Sequence, residues 1–328
     1  MQKKIALEEH FALEDRLVDL DRRLGGGNFE SWSDTRRRLL DIQDLRLAEM
    51  DRNGVEFIIL SHTAPGIQEL LDVDEAVELS RRANDYLAEE IAKQPDRFGG
   101  FAALPMQDPD AAITELTRCI NDLGFQGAMV NGFTQKDVPD SAIYYDLPEY
   151  RPFWAAVQEL DVPFYMHPRT SIASRSQAYE GHPWLFSSGW GFAVEASIHS
   201  LRLIGSGVFD DYPKVQIILG HMGERIPFDL WRLDHRVKKQ PCGYSRPQPM
   251  SYYFRNNFHL TTSGAFYGPV FNFTIAEMGA ERIMFSVDYP FEDMTEGASW
   301  FDEMEMTEET RQKVGRKNAI NLFKLDLN

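Results

Sequence analysis

The chain is nearly devoid of cysteine: Cys119 and Cys242 are the only two in 328 residues. That is too few for a disulfide scaffold and fits a reducing compartment, so cytoplasm is the expected address. No apolar run approaches the ~20 residues that a membrane-spanning helix needs, and Met1-Gln-Lys-Lys leads into a strand-like stretch rather than a signal peptide. Basic residues are scarce, with 34 Lys and Arg against 51 Asp and Glu, a net charge of −17 and a pI near 4.9. Such a field repels phosphate backbones and anionic lipid, which argues against nucleic-acid and membrane-surface roles. It also repels an acidic small molecule unless a local cation reverses the sign. No glycine-rich turn follows the first strand-like stretch, which disfavours a dinucleotide-binding doubly wound sheet. Gly25-Gly26-Gly27 comes too far downstream, has no strand before it, and reads as a flexible loop. A P-loop and a Gly-x-Ser-x-Gly elbow are also missing.

What is present is an alternation of short apolar runs and helical patterns. Hydrophobic residues make up 43% and charged residues 26%, an ordinary globular balance that allows a substantial core. Strands are predicted at Ile5–Glu8, Phe57–Ser61, Gly100–Leu104, Ala128–Asn131, Pro163–His167, Val215–His221, His259–Thr262 and Arg282–Asp288. Most are nearly continuous in apolar residues, as strands buried on both faces of a parallel sheet are. Helices are predicted at Asp74–Lys93, Ala111–Leu123, Arg151–Leu160, Ala193–Ser206, Glu224–Arg236, Pro269–Met278 and Glu308–Leu322, with Ser33–Met50 a further candidate. Asp108-Pro109-Asp110 has the form of a helix start, an Asp cap followed by Pro in the first turn. Eight strands alternating with helices imply an α/β fold of the (β/α)8 barrel type, in one domain spanning 1–328. Phe11–Asn53, Arg169–Phe192 and Val237–Asn257 exceed ordinary connections and are expected to form inserted helices, lids or subunit contacts.

Active sites in a (β/α)8 barrel gather at the carboxyl ends of the strands. Read there, the residues are Glu8 and His10, Asn131, His167, His221 and Asp288. Imidazole nitrogen with carboxylate oxygen suits a borderline divalent ion such as Zn2+ or Mn2+. Glu8 and His10 are two apart, so a regular strand presents both on one face. A lone histidine at a strand end is more often a structural hydrogen-bonder, but several such residues converging on one mouth make that the minority reading. His62, His182, His199, His235 and His259 lack a partner at ligand spacing and read as structural, with His62 and His182 placed to line a pocket. Cys119 reads as a small core residue and Cys242 as a loop thiol, neither in a clear cationic setting that would make a nucleophile.

The order of several motifs resembles the amidohydrolase superfamily and, within it, the non-oxidative aromatic acid decarboxylases. These motifs are Ala6-Leu-Glu-Glu-His-Phe11, Pro95-Asp-Arg-Phe98, Phe101-Ala-Ala-Leu-Pro105, Leu160-Asp-Val-Pro-Phe-Tyr-Met-His-Pro-Arg169, Ile218-Leu-Gly-His-Met-Gly-Glu224, Thr261-Thr-Ser-Gly264, Arg282-Ile-Met-Phe-Ser-Val-Asp-Tyr-Pro-Phe-Glu292 and Asn321-Leu-Phe-Lys-Leu325. Glu8-x-His10 looks most like the γ-resorcylate (2,6-dihydroxybenzoate) branch. Ser61-His-Thr-Ala-Pro65 and Ile226-Pro-Phe-Asp229 look more like the 2,3-dihydroxybenzoate branch, and salicylate decarboxylation is a further alternative. The resemblance implies one divalent ion, Zn2+ or alternatively Mn2+, held by Glu8, His10, His167 and Asp288. It implies that this ion is chelated by the carboxylate and ortho-oxygen of a small phenolic carboxylic acid. Asp288 then delivers a proton to C1, assisted by His221 and Glu224, in a reversible reaction. Asn131 and Arg232 are candidate substrate binders, Arg232 having a surface ion pair as its structural alternative. A homotetramer or dimer is the family expectation.

Two other readings stand against this one. A metal-dependent hydrolase of a lactone or amide would often carry His-x-His after strand one and a bridging Lys after strand four. Here the residues are Glu8-x-His10 and Val130-Asn131-Gly132. A barrel that binds a ligand without turning it over is disfavoured by the convergence of acids and bases.

Overall fold

The computed structural model describes residues 2–17 and 32–327. Eight parallel strands form one sheet: β1 (Lys4–Phe11), β2 (Val55–His62), β3 (Phe98–Ala102), β4 (Gly127–Asn131), β7 (Phe164–His167), β8 (Ile217–Leu219), β9 (Phe258–Thr261) and β10 (Ile283–Met284). Each of the eight predicted strands has a counterpart, in sequence order around the barrel. A two-stranded antiparallel hairpin that the apolar pattern did not signal, β5 (Thr134–Lys136) and β6 (Val138–Ile143), is inserted after β4. Its residues are mostly half-buried or exposed, so there was no continuous apolar run to find.

The continuous apolar character of the strands has a direct structural cause. Ile5, Leu7, Phe57, Ile59, Phe101, Met129, Tyr165, Ile218 and Met284 fill the lumen, backed by Ala319 and Phe323 of the last helix. The alternate residues, among them Ala6, Ile58, Leu60, Val130, Phe164 and Leu219, pack outward against the helical layer. Both faces are dry, so neither carries the polar alternation of a half-exposed sheet.

Helix Pro109–Asn121 begins where its sequence predicts, with the Asp108 carboxylate accepting from the amides of Asp110 and Ala111. Two expected helices are interrupted. Ser33–Met50 is split into Trp32–Leu40 and Leu45–Asn53, and Glu308–Leu322 passes through a wider turn at Lys313–Lys317. The predicted start at Glu224 is also displaced. His221, Met222, Gly223, Glu224 and Arg225 all take positive φ, and the regular helix runs Ile226–Lys239. Of the long segments, Arg169–Phe192 contains three single helical turns and Val237–Asn257 contains the helix Met250–Asn257. Gly25–Gly27 lies outside the described residues.

Candidate metal centre and active site

The phase of β1 decides which of its side chains reach the lumen. Ala6 pairs with Ile58 and Glu9 with Leu60, so Leu7 and Glu8 together oppose Ile59 in a β-bulge. Strict alternation from Ile5 and Leu7 would turn Glu8 and His10 outward. The extra residue reverses the phase and aims both inward. They share a face as expected, by way of an irregularity rather than a regular strand. Asn131 and His167 need no such device, each lying two residues beyond a lumen residue, Met129 and Tyr165.

Glu8, His10, His167 and Asp288 each offer one donor atom, and these atoms all lie within 4.8 Å of one another. His10 is oriented by Ser61, whose hydroxyl lies 3.1 Å from Nδ1, leaving Nε2 3.1 Å from Asp288 Oδ1. His167 Nε2 stands 3.5 Å from Glu8 Oε1, and the two imidazoles meet edge to face. Tyr165 and Thr261 donate to Glu8 Oε2, whereas Glu8 Oε1 is buried without a hydrogen-bond partner. Gly220 provides the room, since a Cβ there would stand 2.5 Å from Glu8 Oε2.

Two carboxylates and two imidazoles converging on one point form a donor set that suits a divalent cation. The unpartnered Glu8 oxygen is the atom that calls for it. Desolvation, with the neighbouring His10, holds the His167 imidazole well below its ordinary pKa, the neutral form a ligand needs. Burial alone would raise the Asp288 carboxyl, but its hydrogen bonds with His10 and His221 outweigh that and keep it below the usual carboxylate range. For His221 burial favours the neutral ring, yet Glu224 and Glu8 override it and hold the imidazole in its cationic form well above the ordinary range. His221 Nδ1 lies 2.8 Å from Glu224 Oε1 and Nε2 3.5 Å from Asp288 Oδ2. The left-handed turn thus keeps the His221–Glu224 pair that a helix start was expected to make.

Asn131 is buried beside the site. Its amide donates to the His62 carbonyl at 3.4 Å, and its Oδ1 has no partner. Arg232 is exposed on helix Ile226–Lys239, in an outer groove with Ile198, Leu201, Glu224 and Asp229. It forms no ion pair among the described residues, so the surface ion pair that was its structural alternative, with Asp229 or another nearby acid, is not seen. His199 accepts from the Tyr145 amide, His259 meets Arg282, and His235 stacks on Trp231, all structural as expected. His62 is buried at the end of β2, and His182 is exposed. Cys119 is buried and Cys242 exposed, neither in a disulfide.

Sequence reasoning missed Ser61, Tyr165 and Glu9. Ser61 is the next-to-last residue of β2 and Tyr165 lies two residues before His167, so strand position and period offered a signal for both. Glu9, between two ligand candidates, offered none.

The model of the family described as Amidohydrolase matches residues 10–325. The chain belongs to the amidohydrolase family. It is similar end to end to a γ-resorcylate decarboxylase from a Rhizobium species, 52% identical over 328 residues that cover 99% of each chain. Among solved structures it is similar to a 2,6-dihydroxybenzoate decarboxylase complexed with 2,6-dihydroxybenzoate, with a TM-score of 0.95 and 52% identity over 99% of this chain and 100% of that one. A dihydroxybenzoic acid decarboxylase from a Polaromonas species, solved with manganese and the inhibitor 2-nitroresorcinol, gives 0.96 and 50% over 100% and 98%.

Proposed function

We propose that this protein is a metal-dependent carboxy-lyase that decarboxylates an ortho-hydroxybenzoate without oxidation, γ-resorcylate to resorcinol being the preferred case. The observation that carries the reading is the cluster of buried Glu8, His10 and His167 with half-buried Asp288, and the His221–Glu224 pair beside it. The decarboxylase relatives narrow the chemistry to loss of CO2 from a phenolic acid. Glu8, His10, His167 and Asp288 are the proposed ligands of one divalent ion, Zn2+ or alternatively Mn2+. When bound, that ion supplies positive charge for the substrate carboxylate and ortho-oxygen and favours the ionised phenol.

Direct loss of CO2 from an aryl carboxylate leaves an electron pair in an orbital orthogonal to the ring. Protonating C1 first makes that carbon tetrahedral, and the ortho-oxygen electrons stabilise the ring. The C1–carboxylate bond then breaks and its electrons restore the aromatic system. Asp288, an anion in this arrangement, delivers a proton only after receiving one. His221, held cationic by Glu224 and 3.5 Å from Asp288, is the proposed supply. Asn131 is proposed to bind a substrate oxygen through its amide. Arg232 is proposed for the same role, though in this chain no contact holds it toward the barrel mouth, and unchanged KM in Arg232→Met would remove it.

The whole chain, 1–328, is proposed to act as one catalytic domain in the cytoplasm and to associate as a homotetramer or dimer. Support for association comes from the outer face, where Phe228 and Trp231 are 77% and 73% exposed and Phe228 meets Phe273. A fully active monomer by light scattering would contradict it.

The test of the reaction is CO2 release. 2,6-Dihydroxybenzoate should react, while benzoate and 3- or 4-hydroxybenzoate should not, and in D2O the product should gain deuterium at the former C1. Comparable turnover of a meta- or para-only acid would refute the mechanism. Loss of activity on 2,6- but not 2,3-dihydroxybenzoate or salicylate would move the assignment to those acids. The hydrolase reading lacks a bridging Lys, and two tightly held metals per active chain would revive it.

A further inference from the structure

The barrel has a weak seam. The sheet runs from β1 to β10, and no strand ladder joins those two among the described residues. Side-chain contacts and one backbone hydrogen bond help seal the gap. The Ser286 hydroxyl accepts from the amides of Leu7 and Glu8 at 3.0 and 2.7 Å, and the His10 amide donates to the Tyr289 carbonyl at 2.7 Å. Between them stands Glu9, fully buried and turned away from the lumen by the same bulge that turns Glu8 and His10 inward.

The Glu9 carboxylate takes three donors. Oε1 accepts from the Val287 amide at 2.9 Å and the Ser286 hydroxyl at 3.1 Å, and Oε2 accepts from the Tyr289 amide at 3.1 Å. Val287 and Tyr289 are the residues on either side of Asp288. Asp288 itself sits at φ +80, where a side chain is disfavoured and a single residue holds its place only when its neighbours are fixed. Arg46, fully buried, lies over the Tyr289 ring at 4.8 Å and donates to the His10 carbonyl, bringing a positive charge to the same seam.

We propose that Glu9 is a positioning residue for Asp288, clamping the amides on both of its flanks so that the Asp288 carboxylate is aimed at His10, His221 and the metal. The inference rests on the reading of Asp288 as metal ligand and acid. Glu9 touches neither metal nor substrate. It needs two acceptor oxygens on one planar group, which a carboxylate has and an amide lacks. In Glu9→Gln one flanking amide faces an NH2 group whichever way the side chain is turned, and that half of the clamp is lost.

The test compares Glu9→Gln with Ser286→Ala, which breaks three bonds across the same seam but leaves both flanking amides on Glu9. Metal-stripped proteins are titrated with Mn2+ and followed by electron paramagnetic resonance, and kcat and KM for 2,6-dihydroxybenzoate are measured at saturating Mn2+. Glu9→Gln is expected to weaken Mn2+ binding and lower kcat, each by about 10–100-fold, the usual effect of removing a group that orients a ligand. KM should move much less. Ser286→Ala is expected to lose thermal stability while keeping Mn2+ affinity within about threefold, because by the argument above it leaves the clamp intact. Equal losses of Mn2+ affinity in the two variants would show that only seam closure matters and overturn the proposal. Wild-type affinity and kcat in folded Glu9→Gln would overturn it as well. If Glu9→Gln does not fold, Glu9→Asp replaces it, keeping both acceptors one methylene short. Weakened Mn2+ binding then supports the clamp, and wild-type binding and kcat overturn it. The Mn2+ titration stands without turnover, so a wild-type chain inactive on every hydroxybenzoate would sink the reaction assignment and leave the clamp to be judged by metal affinity alone.

Discussion

As the proposed metal ligand and acid, Asp288 carries two demands that pull in different directions. A metal ligand must be ionised, and a group that protonates carbon must hold a proton. Its hydrogen bonds with His10 and His221 satisfy the first demand, and the neighbouring His221 imidazolium meets the second. Asp288→Asn keeps the shape but has no carboxylic proton, so turnover should fall by about 10²–10⁴-fold with substrate still binding. Metal content must be measured in that variant, because near-wild-type rates with metal present would remove Asp288 as the acid. Away from the site, burial lowers the pKa of His199 to about 3, with nearby Arg202 adding to the shift. Its Nε2 accepts the Tyr145 amide at 3.0 Å, a bond that protonation destroys. The unfolded chain therefore binds the proton first, and stability is lost as pH falls from the unfolded histidine value near 6.5 toward the folded one. The slope is at most about 1.4 kcal/mol per pH unit in that window. His199→Gln should show a shallower decline in urea-unfolding free energy between pH 6 and 4, and an unaltered slope would mean His199 does not set it.

At the scale of elements, irregularities rather than ideal segments build the site. The β1 bulge sets the direction of Glu8, Glu9 and His10, and the left-handed turn after β8 sets that of His221 and Glu224. Left-handed conformations cost L-residues about 1–2 kcal/mol each, so the four at His221, Met222, Glu224 and Arg225 persist only because the surrounding packing holds them. Gly223 is a fixed point of this turn, with φ +83 and the Leu260 side chain 2.8 Å from where a Cβ would stand. Gly220 lies just before it at an ordinary φ of −70, so its requirement is space alone. Gly220→Ala should push on Glu8, lowering unfolding free energy by about 1–3 kcal/mol and weakening metal binding together. Unchanged Mn2+ affinity in that variant would show that Glu8 has room to move.

For the whole molecule, the net charge of −17 opposes the approach of a carboxylate substrate. The repulsion acts over distances comparable to the Debye length, about 30 Å at 0.01 M salt and 10 Å at 0.1 M. Raising ionic strength across that range should therefore raise kcat/KM for 2,6-dihydroxybenzoate while leaving kcat nearly constant. A fall would mean that the barrel mouth presents a locally positive field despite the acidic surface. The exposed Phe228, Trp231 and Phe273 are separate from the buried Glu8 and His10, so association through them would not require those two residues to move.

The sequence by itself determined the eight strands, their parallel arrangement and the residue types at their carboxyl ends. Runs such as Ile217-Ile218-Leu219 are apolar because both faces of such a sheet are dry, and that signal is local. Strand ends pointed to Glu8, His10, Asn131, His167, His221 and Asp288 at one mouth, and the resemblance to the decarboxylases singled out Glu8, His10, His167 and Asp288 from them as the donor set. The tertiary structure decided what depends on contacts between distant segments. The phase reversal in β1 is visible only in its pairing with β2. The Glu9 clamp joins residues about 280 positions apart in the chain. The turn at His221–Arg225 takes conformations that no local propensity favours and that packing against β9 enforces. Periodicity reports which face of an element is buried. It carries no information about which buried polar atoms meet across a seam.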